Sequence, residues 1–298
     1  MKHLLKLEGM PSAAMEEILA SAEVTKAKRG CGEAKPLDGQ TWAMIFTKSS
    51  TRTRVSFEVG IRELGGSVMF LNANDMQLGR GEPIKDTARV LGRMVHGAVI
   101  RTFAQADVEE FAEYSGIPTI NALTDDEHPC QILTDIFTFQ ERRGPIRGKV
   151  VTYVGDGACN VPVSWVHAAA ALDFELRIAA PAEFQPSAET LAKAGGNISC
   201  TEDIRAAVEG ADMVYTDVWV SMGMEAEAEE RLAKLAGYQI NGGLMCLAKP
   251  DALVMHCLPA YRGKEIDAET FEAHADTIFT QAENRLHTQK AILAWLAG

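Results

Sequence analysis

Phe46-Thr47-Lys48-Ser49-Ser50-Thr51-Arg52-Thr53-Arg54-Val55-Ser56-Phe57 passes from an apolar run to an amphipathic one through a turn of hydroxyls and guanidinium groups. Trp42 to Thr47 read as a short buried strand, and Val55, Val59 and Leu64 supply the apolar positions of a helix that stops at Gly65-Gly66. Ser50 to Thr53 therefore falls at a strand-to-helix turn. The first backbone N–H groups of a helix lack intrahelical partners and the helix dipole favours negative charge, so the turn predicts an anion cradle. Arg52 adds a planar fork suited to phosphate. The same residues also fit an N-capped surface helix with two solvated arginines. There is no glycine-rich P-loop to compete for the phosphate.

Outward from this turn the alternation continues. Before it, Ser12 can cap a helix with Met15, Ile18, Leu19 and Ala22 on one face. After it come a strand at Ser67 to Leu71, a polar loop from Asn72 to Glu82, and a helix opened by Pro83 with Ile84, Ala88, Leu91 and Val95 as its buried stripe. A strand at Ala98 to Phe103, a helix at Val108 to Tyr114 and a strand at Pro118 to Ile120 follow. The next helix opens at His128-Pro129-Cys130-Gln131, buries Ile132, Ile136 and Phe139, and closes at Arg142-Arg143-Gly144. A second series starts with the strand at Lys149 to Val154. This pattern predicts an α/β chain of two doubly wound domains, each a parallel sheet flanked by helices. Ligands of such sheets bind at the carboxyl ends of the strands, where Ser50, Arg101 and the segment from Asn121 to His128 fall.

Composition limits the function classes. At 298 residues the chain is long enough for two domains, and 47% hydrophobic against 23% charged residues is a globular mixture. The balance of 29 basic and 41 acidic residues gives a net charge of −12, which argues against nucleic acid as a partner. The six cysteines lack paired spacing, so neither a zinc ribbon nor a disulfide framework is expected, and a reduced cytoplasm fits best. Met1 to Glu8 does not resemble a signal peptide and no apolar run reaches membrane-spanning length, so no membrane association is expected.

The second half carries its own candidates. Gly155-Asp156-Gly157 is half of a dinucleotide fingerprint, with Asn160 at the position of the third glycine, and it fits a tight strand-to-helix turn equally well. A strand at Asp212 to Val218 delivers Asp217 and then Ser221-Met222-Gly223. Leu253 to Pro259 reads as the last core strand, carrying His256 and Cys257, which also fit a satisfied core imidazole and an inert thiol. Side-chain alternation places these two on opposite faces, against a metal pair. From Ala282 to Leu296 a terminal helix begins with Glu283-Asn284-Arg285, and a cation there opposes the helix dipole unless it has an anionic partner.

Taken in order, Ser50 to Arg54 with Ser56-Phe57-Glu58, His128-Pro129-Cys130-Gln131, Asp217-Val218-Trp219, Ser221-Met222-Gly223 and His256-Cys257-Leu258-Pro259 resemble the aspartate and ornithine carbamoyltransferase family. The last two motifs resemble its ornithine branch. The resemblance spans about Leu4 to Leu296. It implies a carbamoyl-phosphate-binding domain at 1–143, an ornithine-binding domain at 144–281, and a C-terminal helix, 282–298, that returns to the first domain. The implied reaction moves the carbamoyl group of carbamoyl phosphate to the side-chain amine of ornithine, giving citrulline and phosphate, without metal or organic cofactor. Implied roles follow the matched residues. Ser50, Thr51, Arg52, Thr53 and Gln77 hold the phosphate, with Arg285 completing the anion site. Arg101 and His128 donate to the carbonyl oxygen, and Gln131 with the Leu258 backbone takes the carbamoyl nitrogen. Asn160, Asp217, Ser221 and Met222 bind ornithine, with Cys257 and Asp217 around the attacking amine. The loop carrying Gln77 is implied to cross a homotrimer interface, so that active sites are shared.

Two departures stand out. Cys159 replaces the first of a pair of asparagines usual in the family, and Pro162 and Val163 replace small or polar residues. A related amine substrate, a non-catalytic anion-binding protein and a dinucleotide-dependent oxidoreductase remain as alternatives. The oxidoreductase leaves Ser50 to Arg54 and His128 to Gln131 unexplained.

Overall fold

The computed structural model describes residues 1–72, 76, 81–221 and 223–298, and the chain divides into two compact units, Met1–Phe137 with Glu283–Gly298, and Thr138–Ala282. The first unit contains α1 (Ser12–Ala27), β1 (Thr41–Phe46), α2 (Thr51–Glu63), β2 (Ser67–Asn72), α3 (Ile84–Leu91), β3 (Gly97–Arg101), α4 (Gln105–Ser115), β4 (Thr119–Leu123) and the start of α5 (Pro129–Arg143). Its strands are parallel in the order β2-β1-β3-β4. Every residue of β3 is buried, as expected for a parallel strand covered on both faces. Phe46 pairs in register with Arg101 and Asn72, which brings the carboxyl ends of β1, β2 and β3 level. The cradle of the Ser50 turn and Arg101 thus emerge from one edge of the sheet.

The buried face of α2 differs from the expected stripe. Val55 is 55% exposed, whereas Thr53, Ser56, Phe57, Gly60 and Ile61 are buried. The cause lies at the other end of the chain: Arg285 reaches Thr53, and Lys290, fully buried, pairs with Glu63 at 2.7 Å and with Glu33. Phe57 and Ile61 are the apolar part of this face and Thr53, Ser56 and Gly60 its small and hydroxyl part, so of the expected stripe Leu64 is buried, Val59 is half-buried and Val55 alone lies on the exposed side. Asn121 also differs: it lies inside β4 and donates to the Leu5 carbonyl at 2.9 Å and to Gln105 Oε1 at 3.1 Å, a structural role instead of a place at the strand end.

The second unit contains β5 (Val150–Val154), α6 (Asn160–Leu172), β6 (Glu175–Ala179), α7 (Ala188–Ala194), β7 (Ile198–Thr201), α8 (Ile204–Val208), β8 (Met213–Thr216), α9 (Ala228–Leu235), α10 (Gly242–Met245), β9 (Leu253–His256), α11 (Ala268–Ala273) and the start of α12 (Ala275–Ala297). Its parallel strands run β7-β6-β5-β8-β9. Tyr153 on β5 stacks on Tyr215 on β8 with ring centroids 5.9 Å apart, and Trp165 of α6 meets Tyr215 edge-on at 5.6 Å, which fixes α6 on the sheet.

Strand β8 is shorter than the expected Asp212 to Val218. Asp212 turns its carboxylate back to accept from Val150 N–H at 2.9 Å, and Asp217 is the first residue beyond the strand. The terminal helix begins at Ala275, seven residues before the expected start, because Thr277, Ile278, Thr280 and Gln281 continue the helix despite their β-branched and polar character. Arg285 is therefore mid-helix, and the dipole argument applied to it from sequence does not hold. Among the described residues no helix is long and apolar enough to cross a membrane.

Candidate active site

The cradle forms as the turn chemistry dictates. Ser50 adopts an extended N-cap conformation and its Oγ accepts from Thr53 N–H at 3.2 Å, while Thr51 starts α2. Beside it opens a cavity of about 390 Å³ lined by Lys48, Ser50, Thr51, Arg54 and Asn72. Arg52 is half-buried in the first turn. Arg54, the second arginine of the motif, stacks over the Phe70 ring at 3.8 Å. Sequence reasoning passed over Lys48, which is buried, ion-paired with Asp125, and 4.3 Å above the Phe103 ring. Its position two residues before the cap was the available signal.

Arg285 ties the first unit's site together. Its Nη2 donates to Thr53 Oγ1 at 3.1 Å and its Nη1 to Gln131 Oε1 at 2.5 Å. The Gln131 amide nitrogen donates to Asp135 Oδ1 at 2.7 Å, which settles the orientation of the side chain. Arg101 and His128 are each 5% exposed. Burial holds the His128 imidazole well below the usual histidine range, and the positive charges of Arg285 and Arg101 push it the same way. His128 is consequently neutral at pH 7. Burial likewise raises the Cys130 thiol to about 12, and its Sγ donates to the Asn121 carbonyl at 3.4 Å, so this cysteine is structural. Gln77 lies outside the described residues.

In the second unit, register produces the second group of side chains. Thr216 pairs with His256, so Asp217 and Cys257 leave adjacent strands side by side, and Cys257 Sγ donates to Asp217 Oδ1 at 2.8 Å. His256 is buried, with Nε2 3.2 Å from Glu265 Oε1 and Nδ1 accepting from Leu258 N–H at 2.9 Å. The expectation that His256 and Cys257 point apart is not met. Alternation ends with β9 at His256, and a donor atom from each of Asp217, His256 and Cys257 lies within 4.8 Å of the others. Such a trio could hold a divalent cation, but here the thiol is engaged by Asp217 and the imidazole by Glu265 and Leu258.

Asn160 is the first residue of α6, and Cys159 is its N-cap without a side-chain cap bond. The Cys159 Sγ donates to the Asp156 carbonyl at 3.3 Å, and burial pushes its thiol well up. Backbone conformation accounts for Gly155 and close packing for Gly157. A Cβ on Gly155 would stand 3.5 Å from the Trp219 indole at a backbone φ of +127°, and one on Gly157 would collide with Ile178 at 2.6 Å. Ser221 is half-buried and its carbonyl accepts from Met224 N–H at 3.0 Å, while Met222 lies outside the described residues.

Fold and site together define a two-unit α/β protein with a hydroxyl-rich, basic helix start beside a cavity in one unit and a thiol–carboxylate pair in the other. Residues 2–141 match the family described as aspartate/ornithine carbamoyltransferase, carbamoyl-P binding domain, and residues 147–296 match its Asp/Orn binding domain. The chain belongs to the aspartate/ornithine carbamoyltransferase family. It is 54% identical over 300 residues to an ornithine carbamoyltransferase of Akkermansia muciniphila, covering 100% of this chain and 98% of the relative. It is 51% identical over 295 residues to one of Methylococcus capsulatus, covering 99% and 98%. Among solved structures it is similar to ornithine carbamoyltransferase from Pyrococcus furiosus, at a TM-score of 0.92 and 44% identity, covering 100% of this chain and 97% of that one. The anabolic ornithine carbamoyltransferase from Campylobacter jejuni gives a TM-score of 0.93 at 42% identity, with 99% of each chain covered.

Proposed function

We propose that the protein transfers the carbamoyl group of carbamoyl phosphate to the side-chain amine of ornithine, forming citrulline and releasing phosphate. The observation that carries this reading is the convergence, at one sheet edge of the first unit, of the Ser50 cradle, Arg101, neutral His128, and Arg285 bound to Thr53 and Gln131. These groups match the demands of an acyl transfer from a phosphate. The amine nitrogen bonds to the carbonyl carbon, the carbonyl oxygen gains negative charge, and the bond to the phosphate oxygen breaks as the nitrogen gives up one proton, which leaves with the phosphate. Fixed donors aimed at that oxygen and at the departing phosphate lower the barrier without reorganising during the reaction.

In this reading the first unit, with 1–143 and 282–298 as its domain, takes carbamoyl phosphate. Ser50, Thr51, Arg52, Thr53 and Gln77 bind the phosphate with Arg285. Arg101 and the His128 N–H donate to the carbonyl oxygen, and the free lone pair of Gln131 Oε1 accepts from the carbamoyl nitrogen, as does the backbone of Leu258. The domain at 144–281 takes ornithine through Asn160, Asp217, Ser221 and Met222. Only the neutral amine can attack, and Asp217 with Cys257 surrounds it. Catabolic use of citrulline is the same chemistry reversed. A cytoplasmic homotrimer, or a multiple of trimers, with Gln77 shared between subunits completes the proposal. Colorimetric detection of citrulline from carbamoyl phosphate and ornithine tests it: wild-type protein should form citrulline, and no product at saturating substrates contradicts the reading.

A further inference from the structure

Resting on that reading, we infer that Arg231 is a positioning residue that sets the affinity for the amine substrate. Arg231 projects from α9, outside every motif singled out in the sequence, and is 7% exposed. Its Nε donates to the Trp219 carbonyl at 2.9 Å, and its Nη2 is paired with the Asp156 carboxylate. One planar fork therefore ties the Asp217 to Ser221 segment to the Gly155 to Asn160 turn. The guanidinium also lies 4.9 Å from the centroid of the Phe184 ring, and Nη1 is 3.6 Å from Glu227.

Both ends of this tie lead to proposed ornithine contacts. Asp156 is buried and its other oxygen accepts from Ala158 N–H at 3.0 Å, shaping the turn that starts α6 at Asn160. Burial raises the Asp156 carboxyl while the charge of Arg231 opposes that rise. Trp219 lies two residues from both Asp217 and Ser221, and its indole packs against Gly155. The two segments have no shared strand at this point, since β5 ends at Val154 and β8 at Thr216. The Arg231 fork supplies a fixed link where backbone pairing has stopped. A lysine could meet the Asp156 carboxylate but has no second planar donor for the Trp219 carbonyl.

The test is steady-state kinetics and thermal unfolding of Arg231→Lys, Arg231→Met and Arg231→Met/Asp156→Asn. Losing the Trp219 link should raise the ornithine KM about tenfold or more in all three, while KM for carbamoyl phosphate stays within about twofold. Arg231→Met should also unfold at lower temperature, because it leaves the Asp156 charge buried and unpaired. Removing that charge in the double variant should recover the unfolding temperature but not the ornithine KM. A purely structural residue would recover both. If Arg231→Met does not fold, Arg231→Lys decides, and an unchanged ornithine KM in that variant overturns the inference. Absence of citrulline formation by wild-type protein would instead remove the carbamoyl-transfer reading.

Discussion

Arg285 donates to Gln131 Oε1 at 2.5 Å, across 154 positions of chain, and so fixes which way the glutamine amide faces. The same amide donates from Nε2 to Asp135 Oδ1. Gln131 therefore cannot turn over without losing both bonds. Replacing its amide nitrogen by oxygen sets a carboxylate against Asp135. Gln131→Glu should lower kcat/KM for carbamoyl phosphate about tenfold or more. Wild-type kinetics in this variant would show that the amide orientation has no bearing on the substrate.

The cradle predicts a larger loss. Charge-assisted hydrogen bonds contribute roughly 1.5–3 kcal/mol each, so Arg52→Ala should lower turnover with carbamoyl phosphate by about one to two orders of magnitude. Circular dichroism should show a folded protein, since Arg52 is only half-buried in the first turn of α2. Near-normal turnover by that folded variant would sink the phosphate assignment.

His128 predicts a pH dependence of stability. Its folded pKa is depressed by burial and then by Arg285 and Arg101, while the unfolded chain titrates at the ordinary histidine value of 6.5. Below that value the unfolded state binds a proton that the folded state refuses, so the stabilising contribution is complete above pH 6.5 and is lost as pH falls. His3, His274 and His287 are shifted in the same direction, chiefly by burial. Unfolding temperatures measured from pH 8 to pH 5 should fall on acidification, and fall less for His128→Gln. Parallel curves for the two proteins would contradict the buried neutral imidazole.

Much of this arrangement was legible because it is local. Ser50 to Thr53 is a cap and its first turn, and His128 to Gln131 is a helix start, so residue type and spacing carry both. Cys257 beside Asp217 was partly legible: each strand was visible, but their contact depends on the Thr216 to His256 register, which no single stretch encodes. Partnerships between distant buried polar groups were not legible. Lys290 with Glu63 looks like a surface lysine on a terminal helix, and Arg231 with Asp156 looks like one more charge in an acidic segment. The exposure of Val55 follows from the same cause, because part of the face that α2 buries instead, Thr53 and Glu63, is held by Arg285 and Lys290.

The shared-site proposal predicts complementation between subunits. Arg52→Ala and Gln77→Ala proteins should each be impaired, yet trimers reassembled from a mixture should regain activity. A subunit lacking Arg52 can lend an intact Gln77 to a neighbour that keeps Arg52. A sedimentation experiment showing only monomer, or mixed assemblies no more active than the average of the parents, would rule out sharing.

The central claim is the identity of the acceptor amine, and competition between acceptors tests it most directly. Initial rates of carbamoyl transfer should be measured for ornithine, aspartate and putrescine at fixed carbamoyl phosphate. Ornithine should have the highest kcat/KM, because Asn160, Ser221 and neighbouring backbone can satisfy an amino-acid head group that putrescine lacks. A higher kcat/KM for aspartate or putrescine would contradict the account.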